Sequence, residues 1–391
     1  MRAGVHGERL NMRWLSIILG GLLILFILAD VFLTVLYARM GNGIISHRLA
    51  CWTWYAFRAI ARPFPRYKDR ILSFCGPTIL VLMVCTWIFL LMCGGALVIK
   101  PALGSGVQSN QGPTPTHFST ALYLAGDALT TVGASDISPK TPFYRLFYTF
   151  LSVIGISVLT LTVTYFLEIY NALQARNTYV VKIHHATNNT GDAAELLAGL
   201  GAGGEFQYGY THLAEMAAEA AELHEVHHFY AVLLYFRFPE PYYALGRGVL
   251  VTLDTISLLK SALDDARYGW LKESAAVTQV WRGAMRTVTE LSIVFLPQGL
   301  PQGEPDPQSI ERWRRRYAAA LKRLRQAGIT TIADESAGAD VYITLRAQWD
   351  RYVHAFAHHM IHPMDQIDPA GERPEEAAER PEFEQRLRAV G

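Results

Sequence analysis

The sequence predicts an all-α membrane protein with three transmembrane helices. A re-entrant helix and loop lie between the second and third, and a mainly helical domain follows. Three observations carry this. Hydrophobic residues make up 51% of the 391, and mean hydropathy is positive, which suggests a membrane region joined to a soluble one. Apolar segments at 14–38, 76–99 and 143–173 are each long enough to cross a bilayer. Beyond residue 174 the text turns to Ala, Leu and Glu at helical spacing. The 35 Lys and Arg nearly balance the 34 Asp and Glu, so total charge says little and its placement says more.

The first span, 14–38, exceeds a signal-peptide core of roughly 7–15 residues. Its one acid, Asp30, is costly in lipid and should face protein or water as a contact between helices. Residues 39–75 carry Arg39, Arg48, Arg58, Arg62, Arg66, Lys68 and Arg70 against Asp69 alone, which places them in the cytoplasm by the positive-inside rule. Within them, 44–61 mixes Trp52, Trp54, Tyr55 and Phe57 with arginines. That pattern resembles an interfacial helix lying on membrane lipid with its aromatic face inward, ended by Pro63 and Pro65. Pro77 suits the first turn of the second span.

Three spans and one re-entrant loop put the C-terminal half in the cytoplasm and the N-terminal tail (1–38, with its span) outside. Arg2, Arg9 and Arg13 argue the other way and are outnumbered by seven. All four cysteines, Cys51, Cys75, Cys85 and Cys93, lie in the membrane half. No CxxC pair occurs, so neither a disulfide framework nor a zinc ribbon is indicated.

Residues 76–173 hold the stretch that organises the rest. A Gly/Pro/Ser/Asn-rich linker (100–116) leads to an amphipathic helix over about 118–129. The text then reads Thr130-Thr131-Val132-Gly133-Ala134-Ser135-Asp136, with Pro139 three residues on. This resembles the pore loop of the tetrameric potassium-channel superfamily, whose filter reads T-T-V-G-Y-G-D. Five of the seven positions match; Ala134 replaces the family's Tyr and Ser135 its second Gly. Gly155, nineteen residues after Asp136, stands where the family's inner helix has its hinge glycine.

The resemblance implies a ring of four chains with Thr130, Thr131, Val132, Gly133, Ala134 and Ser135 lining an ion path. It places Asp127 behind the filter and Asp136 at its outer mouth. The physics of such a filter is a stack of backbone carbonyls that replaces a cation's hydration shell. Its chain alternates ordinary and left-handed dihedrals; Gly133 meets this freely, and Ser135 at about 1–2 kcal/mol. The helix over 118–129 aims its partly negative C-terminal end at the same axis. Potassium is the expected permeant ion, or sodium; no other cofactor is indicated.

Below Gly155, Leu159, Val163 and Leu167 recur every four residues and can form apolar gate rings or ordinary packing. Thr160, Thr164 and Glu168 offer a second, polar face that would line the cavity if the helix is rotated.

The cytoplasmic half divides into 174–296, a Pro/Gly linker at 297–307, 308–363, and a Glu/Arg/Pro-rich tail at 364–391 expected to be disordered. A short strand is expected at 179–183. Helices are expected at 193–200, 210–236, 242–263, 271–295, 308–326 and 342–361. Residues 199–204 satisfy GxGxxG, but a helical AAELLA precedes them where a buried strand is needed, so a flexible loop is the reading.

Two histidine groups stand out. His224, His227 and His228 lie near Glu222 and Glu225; His354, His358, His359 and His362 form the second. The default reading is polar histidines on amphipathic helices; pH sensing comes next and zinc binding through His224, His227, His228, His354, His358 or His362 last. The basic run 312–316 reads as a solvated helix face with acidic partners, and nothing else suggests nucleic acid. No GxxxxGK[ST], GxSxG or HExxH occurs, so no enzyme is expected.

Three functions follow: a homotetrameric potassium channel of the cell membrane, a weakly selective cation channel, or a poorly conducting membrane sensor or scaffold. The cytoplasmic half is read as regulatory, with its ligand or partner unidentified.

Overall fold

The computed structural model describes residues 2–37, 43–133, 136–296 and 303–372. Two compact units form, Met1–Tyr170 and Asn171–Gly391. Among the described residues, three helices are long and apolar enough to cross a membrane: Asn11–Leu36, Cys75–Ala102 and Pro142–Ala186.

In the first unit, α1 (Arg2–Val31) ends in a π-helical turn, Phe32–Leu36. α2 spans Ile44–Ala61, α3 Lys68–Ser73 and α4 Cys75–Ile99. α1 and α4 pack antiparallel: the Ser16 hydroxyl donates to the Leu97 carbonyl at 2.7 Å, and the Trp87 indole N–H to Asp30 at 2.8 Å. Between these contacts Gly20 meets Gly94 so closely that a β-carbon on Gly20 would lie 2.6 Å from the Gly94 carbonyl oxygen. Small residues let two membrane helices approach in this way, where burial alone gives no advantage over lipid.

Asp30 is fully buried. It also accepts from the Ile45 N–H at 2.8 Å and the Ser46 hydroxyl at 2.6 Å. The acid that sequence placed between helices thus caps the N-terminus of α2, where free amide groups need an acceptor. Within α2, Trp54 is buried against its own chain, while Trp52 and Tyr55 are exposed on the surface.

The re-entrant segment is held by a two-stranded antiparallel sheet, the only strands among the described residues. β1 (Val107–Ser109) lies before the loop helix α5 (Phe118–Thr130) and β2 (Ile137–Pro139) after the loop. The linker expected at 100–116 therefore contains a strand. α6 then runs unbroken from Pro142 to Ala186. Its continuation absorbs residues 179–183, expected as a strand. Their β-branched composition suits one, yet the Tyr179 hydroxyl bonds Thr252 at 2.6 Å and Val180 packs on Gly248, both at helical spacing.

The second unit comprises α7 (Ala193–Leu200), α8 (Gln207–Phe229), α9 (Leu245–Ala262), α10 (Asp265–Lys272), α11 (Ala275–Phe295), α12 (Pro307–Gln326), α13 (Glu335–His359), α14 (Met364–Ile367) and α15 (Pro369–Glu372). α9 is its centre and is buried on all sides except at Lys260, with Arg247 and Asp254 among its buried residues. It packs against α7, α11 and α13.

The helix expected at 271–295 is two helices, because Ser274 caps α11 by accepting from the Val277 N–H. The helix expected at 210–236 ends at Phe229 and passes into a 3-10 turn, Ala231–Tyr235. The GxGxxG stretch is a helix end: α7 stops at Leu200, and Gly203 and Gly204 take positive φ (69° and 79°).

A polar network crosses this core. Asp254 accepts from Tyr342 at 2.5 Å, Arg346 at 3.1 Å and Arg316 at 3.2 Å. Arg346 also pairs with Asp350 and Asp368, and Arg316 with Asp192. Burial alone would lower the affinity of Arg316 for its proton, but Asp192 and Asp254 reverse this and hold it well above the usual value. The basic run is thus not wholly solvated. Arg314 pairs with Asp340 at the surface, whereas Arg316 and Trp313 are interior. Residues 364–372, expected as disordered tail, are folded by the same network through buried Asp368 and Ile367; 373–391 lie outside the described residues.

Candidate functional site

The site is built on α5, whose apolar positions are buried between α4 and α6. A β-carbon on Gly95 of α4 would lie 3.0 Å from Ala125 and 3.1 Å from Leu151, so three helices converge there. α5 ends at Thr130, whose hydroxyl donates to the Gly126 carbonyl at 2.8 Å. The chain turns at Thr131 with φ 56° and ψ 26°, in the left-handed region. Gly133 follows at φ 71°. Left-handed residues therefore alternate through Thr131, Val132 and Gly133. Sequence assigned this conformation to Gly133 and missed Thr131, since a β-branched residue gives no such signal. Val132 is 70% exposed on the single chain. Ala134 and Ser135 lie outside the described residues.

Behind this turn Asp127 is buried and accepts from the Tyr148 hydroxyl of α6 at 2.7 Å. On the outer side Asp136 hydrogen-bonds the Tyr123 phenol, and its carbonyl accepts from the Asn110 N–H at 2.8 Å. The Asn110 side chain in turn accepts from Ser138 and Lys140, each at 2.8 Å. The two carboxylates are thus fixed by phenols from α5 and α6. Tyr123, Tyr148 and Asn110 are supporting residues that the sequence did not reveal, because their partners are set by folding.

Gly155 faces the end of α5: a β-carbon there would overlap the Leu129 carbonyl. Leu151, Ile154, Val158, Thr162, Tyr165 and Ile169 form the buried face of α6. Leu159, Val163 and Leu167 are exposed, as are Thr160, Thr164 and Glu168, so both candidate faces point away from their own chain.

Among the described residues, no group of three or more His, Cys, Asp or Glu side chains is placed to hold a metal ion. His224 and His228 each lie 3.6 Å from Glu290, which Arg286 also contacts at 2.8 Å. Burial lowers the pKa of His224, against the pull of Glu290. His227 is buried and bonds the Leu223 carbonyl; burial and the charge of Arg176 push its pKa down to about 3. In the second group His354 lies 3.3 Å from Asp350, His358 is exposed, His359 is buried and His362 is half-buried.

Residues 78–171 match the model of a family described as ion channel. Over 167 residues the chain is 26% identical to the uncharacterized membrane protein YdjJ of Bacillus subtilis (strain 168). That match covers 42% of this chain and 48% of the relative, so the chain spans about half the length of the curated relative it matches. No solved structure matches significantly. The matched segment begins inside α4 and ends inside α6, enclosing the helix, the loop and both carboxylates. The chain is a multi-pass, all-α membrane protein, and its segment 78–171 is similar to the ion-channel family.

Proposed function

We propose that four copies of this chain form a potassium-conducting pore in the cell membrane. The observation that carries this reading is the backbone after α5. Left-handed residues alternate at Thr131 and Gly133, directly beyond the partly negative end of a helix. Such alternation turns successive carbonyls to one side, as a cation path requires. One chain supplies one strand, so the ring needs several chains, and four is the number the filter text implies. Permeant potassium, or sodium, occupies Thr130, Thr131, Val132 and Gly133; Ala134 and Ser135 complete the outer end. Asp127 and Asp136 support the inner and outer parts.

The basic segment 39–75 supports a cytoplasmic position for the second unit. Because α6 continues past the pore segment into that unit, the unit is suited to regulate the inner helix at Leu159, Val163 and Leu167, with Gly155 above them. Its ligand is open, and pH acting on the His224–His228–Glu290 contact is one input. Nucleic acid and catalysis have no part in this reading.

Ala134 and Ser135 favour a second reading, a weakly selective cation pore. Loss of an aromatic ring and a glycine loosens the outer carbonyl sites. Rubidium uptake into potassium-loaded proteoliposomes, with and without competing sodium, separates the two. Ala134→Tyr with Ser135→Gly sharpens discrimination if these residues are the cause. Absence of uptake in both forms counts for the sensor or scaffold instead.

A further inference from the structure

The segment between the first two spans carries a surface that the pore does not use. α2 buries Ser46, Ala50, Thr53, Trp54 and Ala61. Its other face, with the connection to α4, exposes Trp52, Tyr55, Phe64, Tyr67 and Phe74. Arg48, Arg62, Arg66 and Arg70 stand exposed among these rings, and Arg58 is half-buried. Among the described residues, none of these five guanidinium groups has a carboxylate partner. Elsewhere in the chain, arginines such as Arg314, Arg316, Arg323 and Arg346 do.

Both ends of the segment join membrane-crossing helices, through Leu36 and Cys75, so it lies at one face of the bilayer. Large aromatic rings concentrate at headgroup level, where one edge is apolar and the other wet. Guanidinium groups at that depth pair with phosphate in a bidentate fork.

We propose that this surface binds anionic phospholipid headgroups and that its occupancy acts on the pore through Asp30. Five unneutralised arginines interleaved with five exposed rings match a lipid that offers phosphate above and acyl chain below. A second copy of the same surface would be repelled by charge. An acidic peptide in water would leave the rings exposed.

The route inward is short. Asp30 holds the N-terminus of α2 through Ile45 and Ser46 and holds α4 through Trp87. α4 in turn packs on α5, where Met92 fills the space over Gly126. A lipid that draws α2 toward the headgroups thus pulls on the carboxylate that positions α4 against the pore helix. The coupling rests on the channel reading; the lipid site does not.

The test uses full-length protein in nanodiscs with brominated phosphatidylglycerol or brominated phosphatidylcholine, reading Trp52 fluorescence as the difference from Trp52→Phe. The expected result is stronger quenching by the anionic lipid, with about fivefold preference per engaged arginine at low salt, declining as salt is raised. Combined substitution of Arg48, Arg58, Arg62, Arg66 and Arg70 by Gln brings the preference to unity while far-ultraviolet dichroism is unchanged. Equal quenching by both lipids overturns the proposal, as does a preference that survives the five substitutions.

For the coupling, rubidium flux in proteoliposomes should track phosphatidylglycerol content. Asp30→Asn should keep the quenching preference and lose that dependence. Flux that still tracks lipid in Asp30→Asn overturns the coupling. Absence of flux in every lipid beside an intact preference supports the site, and removes the coupling together with the channel reading.

Discussion

Gly155 of α6 touches the backbone carbonyl of Leu129, one residue before the end of α5. α6 and α5 therefore meet without an intervening side chain, just behind the turn at Thr131.

A hinge and a close approach both select glycine but predict opposite outcomes on substitution. Alanine on an exposed helix would add about 1 kcal/mol of stability. At Gly155 its methyl group overlaps backbone, so Gly155→Ala should cost about 1–3 kcal/mol. The melting temperature of the purified protein in detergent checks this. Unchanged or raised stability would leave flexibility as the reason for the glycine.

Asp30 satisfies three donors in a buried site. Asp30→Ala leaves them without an acceptor and should cost on the order of 3 kcal/mol, since each orphaned buried donor costs about 1–3 kcal/mol. Asp30→Asn keeps one acceptor oxygen and should cost less. Limited proteolysis of the 39–75 connection, which loses its anchor to α1 and α4, gives the ranking.

The Asp254 network is all-or-none in character. Removing one charge from a buried pair typically costs about 3–5 kcal/mol, because the partner stays buried and uncompensated. Arg346→Met should therefore expose residues 364–372, whose Asp368 loses its cation. Hydrogen exchange over that segment should rise by orders of magnitude relative to α9.

His227 sets an acid limit on the second unit. Its pKa is pushed down to about 3 by burial and by Arg176, against about 6.5 in an unfolded chain. Between these values the unfolded state holds a proton that the folded state excludes. Stability therefore falls as pH drops below about 6.5, by up to about 1.4 kcal/mol per pH unit. Urea unfolding at stepwise lower pH measures the slope, and His227→Gln should flatten it.

The legible parts of the chain were those governed by local pattern. α2 and α7 begin and end where periodicity placed them, and α4 and α5 differ by one residue. Long-range pairing was not legible. The strand reading of 179–183 followed local propensity, and the packing of Tyr179 and Val180 on α9 overrode it. Arg316 looked like surface charge until Asp192 and Asp254, remote in sequence, enclosed it. At the site, Gly133 announced its left-handed backbone and Thr131 did not. Asp127 was marked only by the resemblance, and Tyr148 could be found only from the way α6 lies against α5.

The most direct measurement is the reversal potential of purified protein in a planar bilayer, with potassium on one side and sodium on the other. Current should reverse near the potassium equilibrium potential, carried by a filter from Thr130 to Gly133. Clear current reversing near zero would contradict potassium selectivity and point to Ala134 and Ser135. No current across a range of pH and voltage would contradict conduction itself.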